Sequence, residues 1–226
     1  MSLASAPQNC DAPASHGGKR EQQKLVHREA ILEAGEHVLG ADLRRCVAVD
    51  KIAAQAGLAK GTVYNYFGDK AALVEAVTQR VEARVLERIE RAMWNLPTAR
   101  ARVAAVIYTM FETATQFPEE SVILERRIGA AGSHESLIGA LILAELRNKE
   151  FDRLAEAGAR RAALTLILSA ICSGMREVVC GRSCWGEAET LALVARCLAA
   201  LGVDEEQASL EARVASSRLK WTYDVA

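Results

Sequence analysis

The chain has 226 residues, half of them apolar, a quarter charged and only four of them proline, which is room for one small domain and one larger one, each with its own core. A formal net charge of −1 excludes a bulk electrostatic pull on nucleic acid, so contact with DNA has to come from a local patch. The six cysteines come without a secretory signal, which excludes a disulfide scaffold and fits reduced thiols in the cytoplasm.

Residues 1–22 mix Ser, Ala, Pro and Gly without an apolar run, and are expected to form a disordered tail. Lys19, Arg20 and Lys24 read as solvated cations leading into a first helix in preference to a minor-groove arm.

Between Val49 and Lys70 the spacing predicts two short helices joined by a tight turn. Ile52, Ala53 and Ala56 recur at helical spacing, and Gly57 stands where a residue of positive φ would close the first helix. Leu58, Val63 and Phe67 can cover the same small core from the second helix. Ala53 is small enough to let the two cross steeply, as in a helix-turn-helix unit. The outer face keeps Lys60, Gly61, Thr62, Tyr64, Asn65 and Tyr66, whose cation, hydroxyls, amide and open backbone suit phosphates and base edges. Gly61 in the first turn costs up to ~1 kcal/mol of helix propensity, a cost that makes sense if backbone must lie against DNA. From Arg44 to Lys70 five bases (Arg44, Arg45, Lys51, Lys60, Lys70) stand against two acids (Asp50, Asp69). Arg44 and Arg45, just ahead of the first helix, are candidate backbone contacts.

Ile52-Ala53, Ala56-Gly57-Leu58, Lys60-Gly61-Thr62-Val63-Tyr64, Tyr66-Phe67 and Asp69-Lys70 together resemble the DNA-binding signature of TetR-family transcriptional regulators, over roughly Arg28 to Val77. Arg28-Glu29-Ala30-Ile31-Leu32 and Ala34 are similar to that family's first helix. The resemblance implies an all-α chain: a three-helix helix-turn-helix domain over 23–69, then a larger helical ligand-binding and dimerisation domain over 70–226. It implies a major-groove role for the helix from about Ala59 to Phe67 and a phosphate contact for Lys70. It further implies a homodimer on a pseudo-palindromic DNA operator, acting as a repressor that a small-molecule effector releases. The chain departs from the family at Ala48 and Ala59, where hydroxyl caps are usual, each missing cap costing about 0.5–2 kcal/mol. Leu43 replaces the usual glycine after the first helix, with Gly40 as a nearby alternative end.

Asp69 is a plausible N-cap for a long helix running through Leu73, Val77, Val81 and Val85 toward Trp94 and stopping near Pro97. From Thr98 to Phe117 the apolar arc is wide enough for a helix in the middle of a bundle. Pro118 stops it, Glu119 to Ile128 make a short segment, and another helix starts near His134. The run from Ala162 to Met175 is 14 residues between Arg161 and Arg176, short of the ~20 that span a bilayer, and is read as a buried helix. The segment from Glu187 to Leu201 is apolar nearly all round and so needs cover on two sides, the second most simply supplied by another copy of the chain. The resemblance implies that two helices over about 159–182 and 186–202 form that dimer interface. Asp204 to about Lys220 is expected to be a peripheral helix.

Trp94, Tyr108, Met110, Phe111, Phe117 and Met175 are the candidate lining of an effector cavity, which would be mostly aliphatic and suit a hydrophobic or amphipathic ligand. Arg126, Arg127 and His134 are unselected polar anchors. A second reading, a cytosolic thiol- or metal-responsive sensor, would use Cys172, Cys180 or Cys184, with Arg176 and Arg182 lowering a thiol pKa. No catalytic constellation, metal motif or cofactor-binding loop is present, and no membrane span is expected.

Overall fold

The computed structural model describes residues 16–41, 48–130, 136–181 and 185–224. Among these residues there is no strand. The order is α1 (His16–Ala41), α2 (Val49–Gln55), α3 (Lys60–Phe67), α4 (Lys70–Met93), α5 (Ala99–Gln116), α6 (Pro118–Ala130) and α7 (Leu137–Glu145), then a 3-10 turn (Lys149–Leu154), α8 (Ala157–Cys180), α9 (Glu187–Ala200) and α10 (Glu205–Asp224).

Helix α1 begins at His16, so the expected tail over 1–22 is corrected: residues 16–22 are helical, and only 1–15 lie outside the described residues. At its other end α1 runs through Gly40. That glycine does not end the helix; a Cβ there would sit 2.4 Å from the Cβ of Glu119 at the start of α6. Gly35 likewise brings α1 against Val77 of α4. These two close approaches, with Ile31, Leu32, Ala34 and Leu39 buried, seat α1 on both α4 and α6.

Helix α4 has the expected cap, Asp69 Oδ1 accepting from Ala72 N at 2.8 Å. Its buried face is Leu73, Val77, Val81, Val85 and Ile89. The chain leaves α4 at Trp94, where Asn95 adopts φ 61°. Leu96 then turns inward at 6% exposed while Trp94 is left 73% exposed, so Trp94 does not line a cavity in the bundle. Helix α5 is central as anticipated, with Val103 to Met110 wholly buried apart from 4% at Tyr108, and it is capped by Thr98, which accepts from Ala101 N at 3.0 Å. Pro118 does not merely end α5. It opens α6, because a proline at the first helical position gives up an N–H that would be unpaired anyway.

Helix α7 is shorter than its apolar run suggests, starting at Leu137 after the Ser136 cap accepts from Gly139 N. Glu82 of α4, 1% exposed, accepts from Leu137 N at 2.9 Å and has Arg127 Nε at 3.7 Å. Helix α8 buries Leu164, Ile167, Leu168, Ile171 and Met175. By length and composition it could cross a membrane, yet this face is packed on α5, α6 and α7. Gly174 admits a side chain and not a backbone: a Cβ there would lie 2.4 Å from the ring of Phe111. The C-terminal segment is more than peripheral. Helix α10 packs along α9 and α5 through Ala208, Ala212 and Ala215, all buried.

Candidate nucleic-acid interface

The turn between α2 and α3 is built as the spacing predicts. Gly57 has φ 67°, Leu58 N donates to Ala53 O at 2.9 Å, and Gly57 N donates to Ala54 O at 3.1 Å. These two bonds are a Schellman closure, which satisfies the last carbonyls of α2 and fixes the direction in which α3 leaves. Ile52, Ala53 and Val63 are buried between the helices, with Leu58 and Phe67 packed on the rim. Ala48 and Ala59 both have extended backbones and neither caps its helix.

The structure places Lys60, Gly61, Asn65 and Lys70 fully outside, and Thr62 and Tyr64 half-buried beside them. Among the described residues Gly61 has no atom within 4 Å of where a Cβ would stand, so none of them requires a glycine there. Lys60 Nζ lies 2.9 Å from Asp50 Oδ1, and this hydrogen bond raises the ammonium pKa and keeps it charged. Tyr66 is drawn away from the outer face: its hydroxyl meets His27 Nδ1 of α1 at 3.3 Å, the two rings edge to face. Arg28 lies over the ring of Phe67 at 5.6 Å. Arg44 and Arg45 lie outside the described residues.

Ion pairs carry the recognition unit on the rest of the chain, and the sequence reading missed them. Glu36 of α1 accepts from Arg80 Nε at 2.8 Å and Arg84 Nη2 at 2.6 Å. Glu120 of α6 accepts from Arg84 at 3.0 Å and also binds Arg88. His37 Nδ1 lies 2.9 Å from Glu119. The signal was present in Arg80, Arg84 and Arg88 at four-residue spacing on α4, but their partners lie far off in the chain.

The candidate effector residues divide. Tyr108, Met110, Phe111 and Met175 are buried in the bundle. Phe111 stacks on Trp185, centroids 5.4 Å apart and rings 4° from parallel, and Trp185 Nε1 donates to Thr190 Oγ1 at 3.0 Å; Trp185 was not among the candidates. Phe117 is 39% exposed beneath the guanidinium of Arg88 at 4.2 Å.

The thiols give a sensor little to work with. Burial, and then the charge of Glu125, push the Cys172 thiol up to about 11. Arg176 lowers it as expected but is outweighed, and is itself ion-paired to that same Glu125. Cys184, Arg182 and His134 lie outside the described residues, and among the described ones no three His, Cys, Asp or Glu side chains gather as a metal site needs.

Residues 31–77 match the family model described as "Bacterial regulatory proteins, tetR family". That stretch is similar to the N-terminal domain of the TetR family. Among the curated relatives, the HTH-type transcriptional regulator BetI of Rhizobium meliloti (strain 1021) is 32% identical over 97 residues, 43% of this chain and 47% of BetI. The fatty acid metabolism regulator protein of Bacillus subtilis (strain 168) is 31% identical over 90 residues, 40% of this chain and 46% of that protein. The chain thus spans about half the length of the curated relatives it matches. The fold is shared along more of its length. RolR, solved in complex with resorcinol, superposes with a TM-score of 0.60 at 16% identity, covering 85% of this chain and 96% of RolR.

Proposed function

We propose that this protein is a TetR-family, sequence-specific DNA-binding transcriptional regulator of the cytoplasm, a homodimeric repressor that a small hydrophobic or amphipathic effector releases from its operator. The observation that carries the reading is α3: a short helix held by the Gly57 turn that turns Lys60, Gly61 and Asn65 outward and has an open first turn. On this reading α3 enters the major groove, Lys60 and Lys70 meet phosphates, and Thr62, Tyr64 and Asn65 are offered to phosphates or base edges. Lys60 exchanges Asp50 for phosphate on binding. Tyr66 serves the α1–α3 contact in place of DNA.

The recognition domain is proposed to end at residue 69. Beyond it, Ala162, Leu166, Ser169 and Ser173 form an exposed face of α8 beside exposed Ala188 and Ala192 of α9. Small and apolar, that face suits a second copy, and twofold symmetry would set two recognition helices on a pseudo-palindrome. Tyr108, Met110, Phe111 and Met175 are the proposed effector-side residues. That RolR is seen with resorcinol, and that the Bacillus subtilis relative is named for fatty acid metabolism, are compatible with such an effector. Linkage then requires the effector to bind the DNA-bound dimer more weakly than the free one.

Selection of bound fragments from genomic DNA tests the reading directly. Enrichment of one pseudo-palindromic sequence is the expected result, and no enrichment would sink it. On the selected fragment, Lys60→Ala and Lys70→Ala should each weaken binding and reduce the slope of log K against log salt by about one.

A further inference from the structure

Resting on the DNA reading above, we propose that the first part of α1, His16 to Val26, is a helical arm that lies along the DNA sugar-phosphate backbone beside the groove entered by α3, with Lys19, Arg20 and Lys24 on phosphates.

Three observations carry this. Every residue from Lys19 to Val26 is exposed, so this part of α1 stands at the surface and contributes no side chain to the core of the described residues. It is too short to hold a helix alone in water, where about 12–15 residues are needed. It is helical as a continuation of the packed half of α1, whose Ile31, Leu32, Ala34 and Leu39 are in the core.

Its charge is also concentrated. Between residues 16 and 28 stand Lys19, Arg20, Lys24 and Arg28 against Glu21 and no other acid, in a chain whose net charge is −1. The contact between Lys24 and Glu21 is a 3.9 Å pair with both side chains mostly in water, and such a pair does not hold a lysine from phosphate.

The direction is set by α3. Arg20, Lys24, His27 and Arg28 recur at i, i+4, i+7 and i+8, which is one face of the helix. The inner end of that face is fastened to the end of α3, His27 by the Tyr66 hydroxyl at 3.3 Å and Arg28 over the ring of Phe67 at 5.6 Å. The same face continues outward as cations. Eleven helical residues reach about 16 Å, the length of about five base steps at 3.4 Å each. Leu25 and Val26 are exposed as well, but two apolar side chains are far short of a protein interface or a membrane-binding face. The anionic backbone is the occupant that matches the charge.

The test compares the wild-type chain with Lys19→Ala/Arg20→Ala/Lys24→Ala on a fragment selected from genomic DNA, once with about five extra base pairs at each end and once trimmed to the recognised core. Expected is a loss of about three from the salt slope per bound chain in the triple variant. Trimming the ends should weaken the wild type at least about tenfold and leave the variant unmoved. A charge-keeping variant, Lys19→Arg/Arg20→Lys/Lys24→Arg, should behave as wild type, and all three proteins should melt alike because the three side chains are in water. A wild type that binds no fragment overturns the DNA reading and the arm with it. Binding by the wild type with equal slopes and equal indifference to end length in both proteins overturns the arm alone. So does a triple variant that keeps its DNA binding but changes its sedimentation, which would make the segment a contact between copies.

Discussion

Gly61 separates what a residue does for folding from what it does for DNA. A side chain there meets nothing within 4 Å, and alanine is the better helix former by up to ~1 kcal/mol. Gly61→Ala should therefore raise the melting temperature while weakening DNA binding, measured on the same preparation. A variant that is both more stable and equally tight would remove Gly61 from the interface. Two thiols make a second residue-scale case, by way of pH. Cys172 and Cys197 are pushed up from the ordinary 9.0 to about 11 by burial, so the native chain keeps protons that the unfolded chain gives up. Their contribution is whole below pH 9 and is lost as pH rises toward 11. Across that window the unfolding midpoint of Cys172→Ala/Cys197→Ala should fall less than that of the wild type. At pH 8 alkylation should reach Cys172 about a hundredfold more slowly in the native than in the denatured chain.

At the scale of elements, the helix starts show which local rules the chain keeps. Asp69 caps α4 at 2.8 Å from Ala72 N, whereas Ala59 has the extended backbone of a cap, φ −73° and ψ 146°, without an acceptor. Asp69→Ala should cost about 1 kcal/mol, and Ala59→Ser should return a similar amount, both read by chemical denaturation. No gain from serine would mean that the first N–H groups of α3 are already satisfied by water. The α2 closure and the α4 cap were legible because they depend on residues three to five apart. Pro118 was legible as punctuation, but whether it ended one helix or opened the next depended on the seat α6 finds between α1 and α5.

For the whole molecule, the ion pairs joining α1, α4 and α6 and the bare face of α8 decide how the parts act together. Glu36 of α1 and Glu120 of α6 are both paired to α4, through Arg80, Arg84 and Arg88. Leu166, 50% exposed at the middle of α8, is the side chain through which self-association should be most easily broken. Leu166→Glu should convert the protein from dimer to monomer in sedimentation and weaken operator binding by more than tenfold, since the two half-sites no longer bind as one, while leaving the helical content unaltered. A wild type that sediments as a monomer would remove the dimer from the proposal.

The sequence alone settles the all-α class, the α2-turn-α3 unit and the wide apolar arc of α5. Each follows from periodicity and from glycine or cap chemistry acting within a few residues. The exposure of Lys60, Gly61 and Asn65 was legible in the sequence. The contact of the Tyr66 hydroxyl with His27, 39 positions away, was not legible. Tertiary structure decided that Trp94 faces water once Asn95 turns Leu96 inward. It decided that Gly174 admits the Phe111 ring, that Trp185 stacks on that ring, and that α1 reaches back to His16 with its cations in the open. Those outcomes depend on which surfaces meet when distant helices pack, and a one-dimensional pattern of apolar and charged residues does not contain that.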